Sequence, residues 1–177
     1  MILIIFAVLM TLAMFVGSLL AHELGHALAV RVLAGPGAVE EISAGSPAIF
    51  RWGLLCIGIL PTWGFVRFDL SRVSPADRRL VAVAGPLASV AVAAAFGVAA
   101  AILPMDAGWR QAFLAMAQAN LAMAGFNLLP IPPLDGWTIL ETWLRFDRDR
   151  LEFLRRVGAG VVFTVSVWVA LWLLTRH

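Results

Sequence analysis

Residues 2–21 contain no charged side chain, and three further runs, at 80–103, 109–129 and about 157–174, are nearly as apolar. A helix rises 1.5 Å per residue, so about 20 apolar residues cross the hydrocarbon core of a bilayer. Hydrophobic residues make up 62% and charged residues 14%, against about 45–50% and about 25% in soluble domains. The mean hydropathy is +0.92. Soluble globular and disordered classes are excluded. The expected fold class is an integral membrane protein, mainly α, with about four transmembrane helices in a single domain, residues 1–177. The spans are expected at 2–33, 80–103, 109–129 and 157–174. The first run lacks the basic start and small-residue cleavage site of a signal peptide, so it is expected to persist as a helix. The second is almost wholly Ala, Val and Gly, residues that let helix backbones approach closely.

Residues 38–68 fit this scheme least easily. The stretch 48–68 is apolar enough to cross, yet it carries Arg51, Gly53, Gly58, Pro61 and Gly64 among β-branched and aromatic residues that suit strands. The thirteen basic residues, all arginine, arbitrate, because cytoplasmic loops collect positive charge. Four spans put Arg110 and Arg176 on one side and the other eleven arginines on the opposite side. A fifth span would spoil that asymmetry. The region is therefore expected to form a small sheet of short strands, between the first and second spans, on or dipping into the cytoplasmic side. Both termini then lie outside, and the protein is a multi-pass protein of the cell membrane. Arginine without lysine, beside many alanines, points to GC-rich prokaryotic coding. The net charge of +2 leaves no nucleic-acid footprint, and the single Cys56 excludes disulfides and all-cysteine metal sites.

The sharpest chemical signal is His22-Glu23-Leu24-Gly25-His26. Helix positions i and i+4 share a face, so both imidazoles can bind one zinc ion. Glu23 beside them can take a proton from the attacking water and return it to the leaving amine. The bland alternative is two histidines hydrogen-bonded inside a bundle with Glu23 as partner, a costly arrangement in a membrane without a function.

A hydrolytic zinc site needs a third protein ligand and an open position. Asp135 is the candidate, following Pro130, Pro132 and Pro133, which must stop the third helix. Its competing role is to cap a short helix at about 136–146; beside the histidine motif, the ligand reading takes precedence.

These residues resemble the site-2 proteases, a family of intramembrane zinc metalloproteases. His22-Glu23-Leu24-Gly25-His26 is similar to their first motif and residues 126–136, Phe-Asn-Leu-Leu-Pro-Ile-Pro-Pro-Leu-Asp-Gly, to their second. Ala84-Gly85-Pro86 is similar to the small-residue motif between them, and Gly64-Phe65-Val66-Arg67-Phe68 to the end of the family's membrane-associated strands. The resemblance implies one Zn2+ held by His22, His26 and Asp135, with Glu23 as catalytic glutamate and Asn127 near the reacting peptide. It implies a membrane protein or peptide as substrate. Two positions depart from the family pattern: Ser89, where many members have Asn, and Trp137, where a second Gly is frequent. Neither is expected to touch a ligand. The short loops leave no room for an added peptide-binding or regulatory domain, so a minimal core plus one further helix is expected. The competing class is an idle scaffold or small transporter with a structural zinc.

Of the remaining polar residues, Asn120 and Asn127 share a helix face. Asn120 reads as a tie between helices, while Asn127 could serve either substrate or packing. Cys56 reads as a buried small hydrophobe. Pro86 would bend the second helix and free the Ala82 carbonyl. The run Asp147-Arg148-Asp149-Arg150 reads as a solvated loop with local ion pairs.

Overall fold

The computed structural model describes residues 2–144 and 147–175; Arg145, Phe146, Arg176 and His177, which entered the expectations above, lie outside the described residues. The order of elements is α1 (Ile2–Ala34), β1 (Val39–Trp52), β2 (Leu55–Phe68), α2 (Pro75–Ile102), α3 (Ala107–Asn127), α4 (Asp135–Glu141) and α5 (Arg148–Thr175). The protein is mainly helical with one small mixed sheet. Two of the described segments, Leu12–Ala34 and Pro75–Ile102, are long and apolar enough to cross a membrane.

Helix boundaries differ from the apolar runs where polar caps extend a helix beyond them. α2 starts at Pro75, five residues before the run, because Ser74 accepts a hydrogen bond from the Asp77 amide and Pro75 needs no donor. α3 starts at Ala107, with the Asp106 side chain accepting from the Trp109 amide. The Asp147-Arg148-Asp149-Arg150 run is not a loop. Asp147 accepts from the Arg150 amide at 2.8 Å, and α5 begins at Arg148. α4 is shorter than expected, ending at Glu141.

Residues 38–68 form strands, but two long ones of 14 residues each rather than several short ones. Gly53, at φ +60°, makes the turn between them. Both strands curl. Residues 42–44 pair with 64–66 on one side and with 55–57 on the other, while 55–57 also pair with 50–52. The sheet thus has four rows, and 64–66 is an outer one. Ile42, Ser43, Ala44 and Cys56, in rows paired on both sides, are buried, whereas Phe50, Trp52 and Leu54 stay exposed at and beside the turn. Cys56 behaves as the small hydrophobe expected.

α2 is the hub. Val81, Ala82, Gly85, Pro86, Ser89, Ala93 and Ala100 are buried along it. Its small residues admit α1 so closely that a Cβ on Gly25 would sit 2.5 Å from the Ala84 carbonyl oxygen and 2.8 Å from the Ala88 Cβ. On the other side, Phe96 of α2 meets Phe113 of α3 edge to face at 5.4 Å. At the end of α1, Val30 packs with Ala38, Val73 and Val81, flanked by Val39 and Phe68. Burying each valine contributes about 1.5–3 kcal/mol, and this cluster roots the sheet on α1 and α2. Asn120 is a tie, as expected: its amide nitrogen donates to Ser18 Oγ at 2.9 Å and to the Met116 carbonyl at 2.8 Å. α4 is clipped to α2 by Arg79, which donates to Thr142 Oγ1 at 2.6 Å and stacks over the Trp143 ring at 4.5 Å. α5 reaches this end through Arg155 and Glu141, 2.7 Å apart, and through Gly158, which lies against the Pro132 carbonyl.

Candidate metal centre

His22 and His26 stand one helical turn apart on the buried face of α1, 3% and 8% exposed inside an apolar bundle. On a helix apolar enough to cross a membrane these rings have few polar neighbours besides Glu23, so the partners present are informative. His26 Nδ1 lies 2.7 Å from the Val81 carbonyl oxygen. A carbonyl only accepts, so neutral His26 carries its proton on Nδ1 and keeps a lone pair on Nε2. His22 Nδ1 lies 2.8 Å from Ser89 Oγ. Both partners come from α2. The carbonyl that takes His26 belongs to Val81, one residue before Ala82, whose carbonyl Pro86 was expected to free.

The third group arrives from the far end of the chain. α3 stops at Asn127, and the segment 128–134 folds back through turns to start α4 at Asp135. Leu134 occupies the cap position of α4 without a side-chain hydrogen bond, and Asp135 is the first helical residue. Its carboxylate therefore does not cap the helix, the role the competing reading gave it. Instead, Asp135 Oδ2 lies 3.2 Å from His22 Nε2, and Oδ1 lies 3.3 Å from His26 Nε2. The two Nε2 atoms are 3.2 Å apart. Gly136 explains how the chain reaches this position. A Cβ there would run into the Leu128 carbonyl oxygen and come within 2.5 Å of that of Leu129.

His22, His26 and Asp135 are the group of ligand-type side chains, among the described residues, whose atoms converge to within 4.8 Å. Bonds of about 2.0–2.2 Å at tetrahedral angles put zinc ligands about 3.4 Å apart. The observed triangle of residues, with the two Nε2 atoms 3.2 Å apart and each 3.2–3.3 Å from its own carboxylate oxygen of Asp135, is of that order. Its donor set, two imidazoles and a carboxylate, is that of a hydrolytic zinc site. A zinc ion fits these residues.

Glu23 is 5% exposed and faces the sheet: a Cβ on Gly64 of β2 would come within 2.5 Å of its Cγ and Oε1. β2 thus runs directly over the carboxylate. Asn127 is not hydrogen-bonded into this cluster; its amide nitrogen donates to the Met123 carbonyl at 3.0 Å, one turn back on α3. Three contributors were not read as contacting the ligands, although Gly85 lies in the small-residue motif singled out above. Ser89, expected to touch no ligand, contacts His22 directly. The Val81 carbonyl offers no sequence signal. Gly85 marks a close approach, since a Cβ there would collide with His26 Nε2 and sit 2.8 Å from His22 Nε2. Trp137, the other departure from the family pattern, is buried in α4.

A model of peptidase family M50 matches residues 10–105 and 103–171. The Mycobacterium tuberculosis protein Rip3, assigned by inference as a zinc metalloprotease, is 34% identical over 140 residues, covering 74% of this chain and 30% of its own length. MJ0611 of Methanocaldococcus jannaschii, assigned likewise, is 31% identical over 123 residues, covering 68% of this chain and 63% of its own. Synechocystis sll0528, assigned likewise, is 27% identical over 134 residues, 76% of this chain and 31% of its own. The chain therefore spans about a third of the length of two of these relatives. The solved site-2 protease from Methanocaldococcus jannaschii superimposes with a TM-score of 0.65 at 20% identity, over 91% of this chain and 67% of its own, a likeness of fold.

The glycine contacts yield a test of the centre. Gly85→Ala should lower zinc affinity at least about tenfold, because both rings are pinned at Nδ1 and cannot both retreat from the new methyl group. Gly97→Ala, in the same helix with nothing within 4 Å of the added Cβ, should bind like the parent. Competition with a chromogenic chelator reads both; equal affinities would refute the close approach.

Proposed function

The chain belongs to peptidase family M50, and from that membership together with the geometry of the buried centre we propose that it is a zinc-dependent intramembrane endopeptidase. Its substrate is a membrane protein, cut in or near a transmembrane segment. The observation that carries this reading is the triangle of His22, His26 and Asp135, of the size and composition of a zinc site, on a helix apolar enough to cross a membrane. Those three residues would hold the ion. Bound zinc supplies a Lewis acid that polarises the scissile carbonyl and lowers the pKa of water toward about 7. Glu23 takes the proton of the attacking water and passes it to the leaving amine. The Val81 carbonyl keeps the His26 ring turned with Nε2 toward the centre. Asn127, whose amide nitrogen already serves Met123, is assigned a contact with the substrate backbone.

A transmembrane substrate hides its peptide bonds in helical hydrogen bonds, and each one freed in lipid costs several kcal/mol unless it finds a partner. The outer row 64–66 offers one: an unpaired strand edge, among the described residues, whose Gly64 lies against Glu23. An unwound substrate segment adding to that edge would satisfy its backbone next to the catalytic glutamate. We further assign four membrane crossings, α1, α2, α3 and α5, with both termini outside and the centre toward the cytoplasmic face. The arginine distribution supports this assignment.

Glu23→Gln should retain zinc and lose cleavage by about 10²- to 10⁴-fold, whereas Asp135→Ala should lose zinc. Mass spectrometry of new peptide termini in membranes from cells carrying parent or Glu23→Gln protein reads the first. Equal product from both refutes the mechanism. For topology, Ser71→Cys and Pro104→Cys, each in a Cys56→Ala background, should react with an impermeant maleimide from opposite sides; reaction from one side overturns the four crossings. For the strand edge, single proline replacements at Phe65, Val66, Arg67 and Phe68 each remove a backbone donor. At least one should abolish cleavage while keeping zinc and helix content. If every folded, zinc-loaded variant cleaves normally, strand addition is wrong.

A further inference from the structure

Ser89 lies in the middle of α2 and is fully buried at 0% exposure. Serine has no packing reason to be there: the positions before and after it on the same stripe, Ala82, Gly85, Ala93 and Ala100, are apolar and small. A hydroxyl in an apolar bundle costs about 1–3 kcal/mol unless partnered. Its partner is His22 Nδ1 at 2.8 Å.

The two imidazoles of the centre are held differently. His26 faces a backbone carbonyl, which fixes its tautomer outright. His22 faces a hydroxyl, which can donate or accept. With Ser89 donating, the His22 proton sits on Nε2, which has Asp135 Oδ2 and His26 Nε2 each at 3.2 Å. All three inward atoms are then linked by that proton. With Ser89 accepting, the proton sits on Nδ1 and the Nε2 lone pair faces inward beside the other two acceptors, an arrangement that a metal cation or a further proton relieves. A helical serine can turn its own proton to the carbonyl one turn back, so the accepting state leaves its hydroxyl fully partnered.

We propose that Ser89 is the positioning residue of His22, a rotatable hydroxyl that holds the ring in place with or without metal and accepts Nδ1–H when zinc is bound. This rests on the reading of His22, His26 and Asp135 as zinc ligands. A ligand's outer hydrogen bond fixes ring orientation and raises basicity, and losing it typically weakens metal binding about 10- to 100-fold.

The test measures metal binding by the purified full chain in detergent micelles. The proteins compared are the parent, His26→Ala, Ser89→Ala and Ser89→Thr. Ala93→Ser, on the same stripe of α2 but away from the centre, is the polarity control. Zinc affinity comes from chelator competition, and ligand geometry from the visible spectrum of the Co2+-substituted protein. Ser89→Ala should weaken zinc about 10- to 100-fold, with an altered Co2+ spectrum and unchanged helix content. Ser89→Thr, which keeps the hydroxyl, should restore both. Ala93→Ser should bind like the parent. Parent-like affinity and spectrum in Ser89→Ala overturn the proposal, as does failure of Ser89→Thr to recover in a folded chain. If the parent binds no zinc, or His26→Ala binds as tightly as the parent, the ligand assignment itself falls, an outcome distinguishable from failure of Ser89 alone.

Discussion

Four hydrogen-bonding atoms face one another across 3.2–3.3 Å inside an apolar bundle: His22 Nε2, His26 Nε2 and the two carboxylate oxygens of Asp135. Without a proton or cation between them, that arrangement repels itself in a low-dielectric interior. The surrounding architecture acts to keep it together. α2 holds both rings from behind, through the Val81 carbonyl and Ser89 Oγ. Gly85 leaves the volume that the inward nitrogens fill, and Gly25 lets α1 and α2 come close enough for these bonds. Larger residues at either glycine would separate the helices and disperse the cluster.

The same economy of volume links the centre to the sheet. Gly64 lets β2 lie against Glu23, so an outer strand and the carboxylate share one surface. The valine cluster of Val30, Val73 and Val81 fixes the root of the sheet to the helices that carry the centre. On the opposite side, Gly136 admits the turn 128–134 that delivers Asp135, and Arg79 ties α4 back to α2 through Thr142 and Trp143. Each of the three sequence segments at the centre is thus anchored to α2.

Much of the centre is legible in the sequence. The His22/His26 spacing is a property of one helix, so i and i+4 bring the rings together whatever else the chain does. The β-branched and glycine-rich composition of 38–68 indicates strands, but not their length or curl, because the pairing of 42–44 with both 64–66 and 55–57 is a non-local choice. Hydropathy misplaces helix starts where Ser74, Asp106 and Asp147 cap turns that it excludes. Ser89 stands out in the sequence as a departure from the family pattern, but its contact with His22 does not, because that partner is 67 residues away and a lone serine among alanines carries no periodic signal.

By itself the sequence determined that the chain is apolar beyond what water tolerates, carries two histidines one helical turn apart beside a glutamate, and breaks its third helix before Asp135. These are local properties, set by composition, helical periodicity and the missing amide of proline. Only the tertiary structure decided that Asp135 turns inward instead of capping its helix, that Ser89 and Val81 orient the two rings, and that β2 covers Glu23. Those outcomes depend on how closely two backbones can approach. That distance is set by the absence of side-chain atoms at Gly25, Gly64 and Gly85, and an absent atom acquires meaning only when the group that fills its place is known.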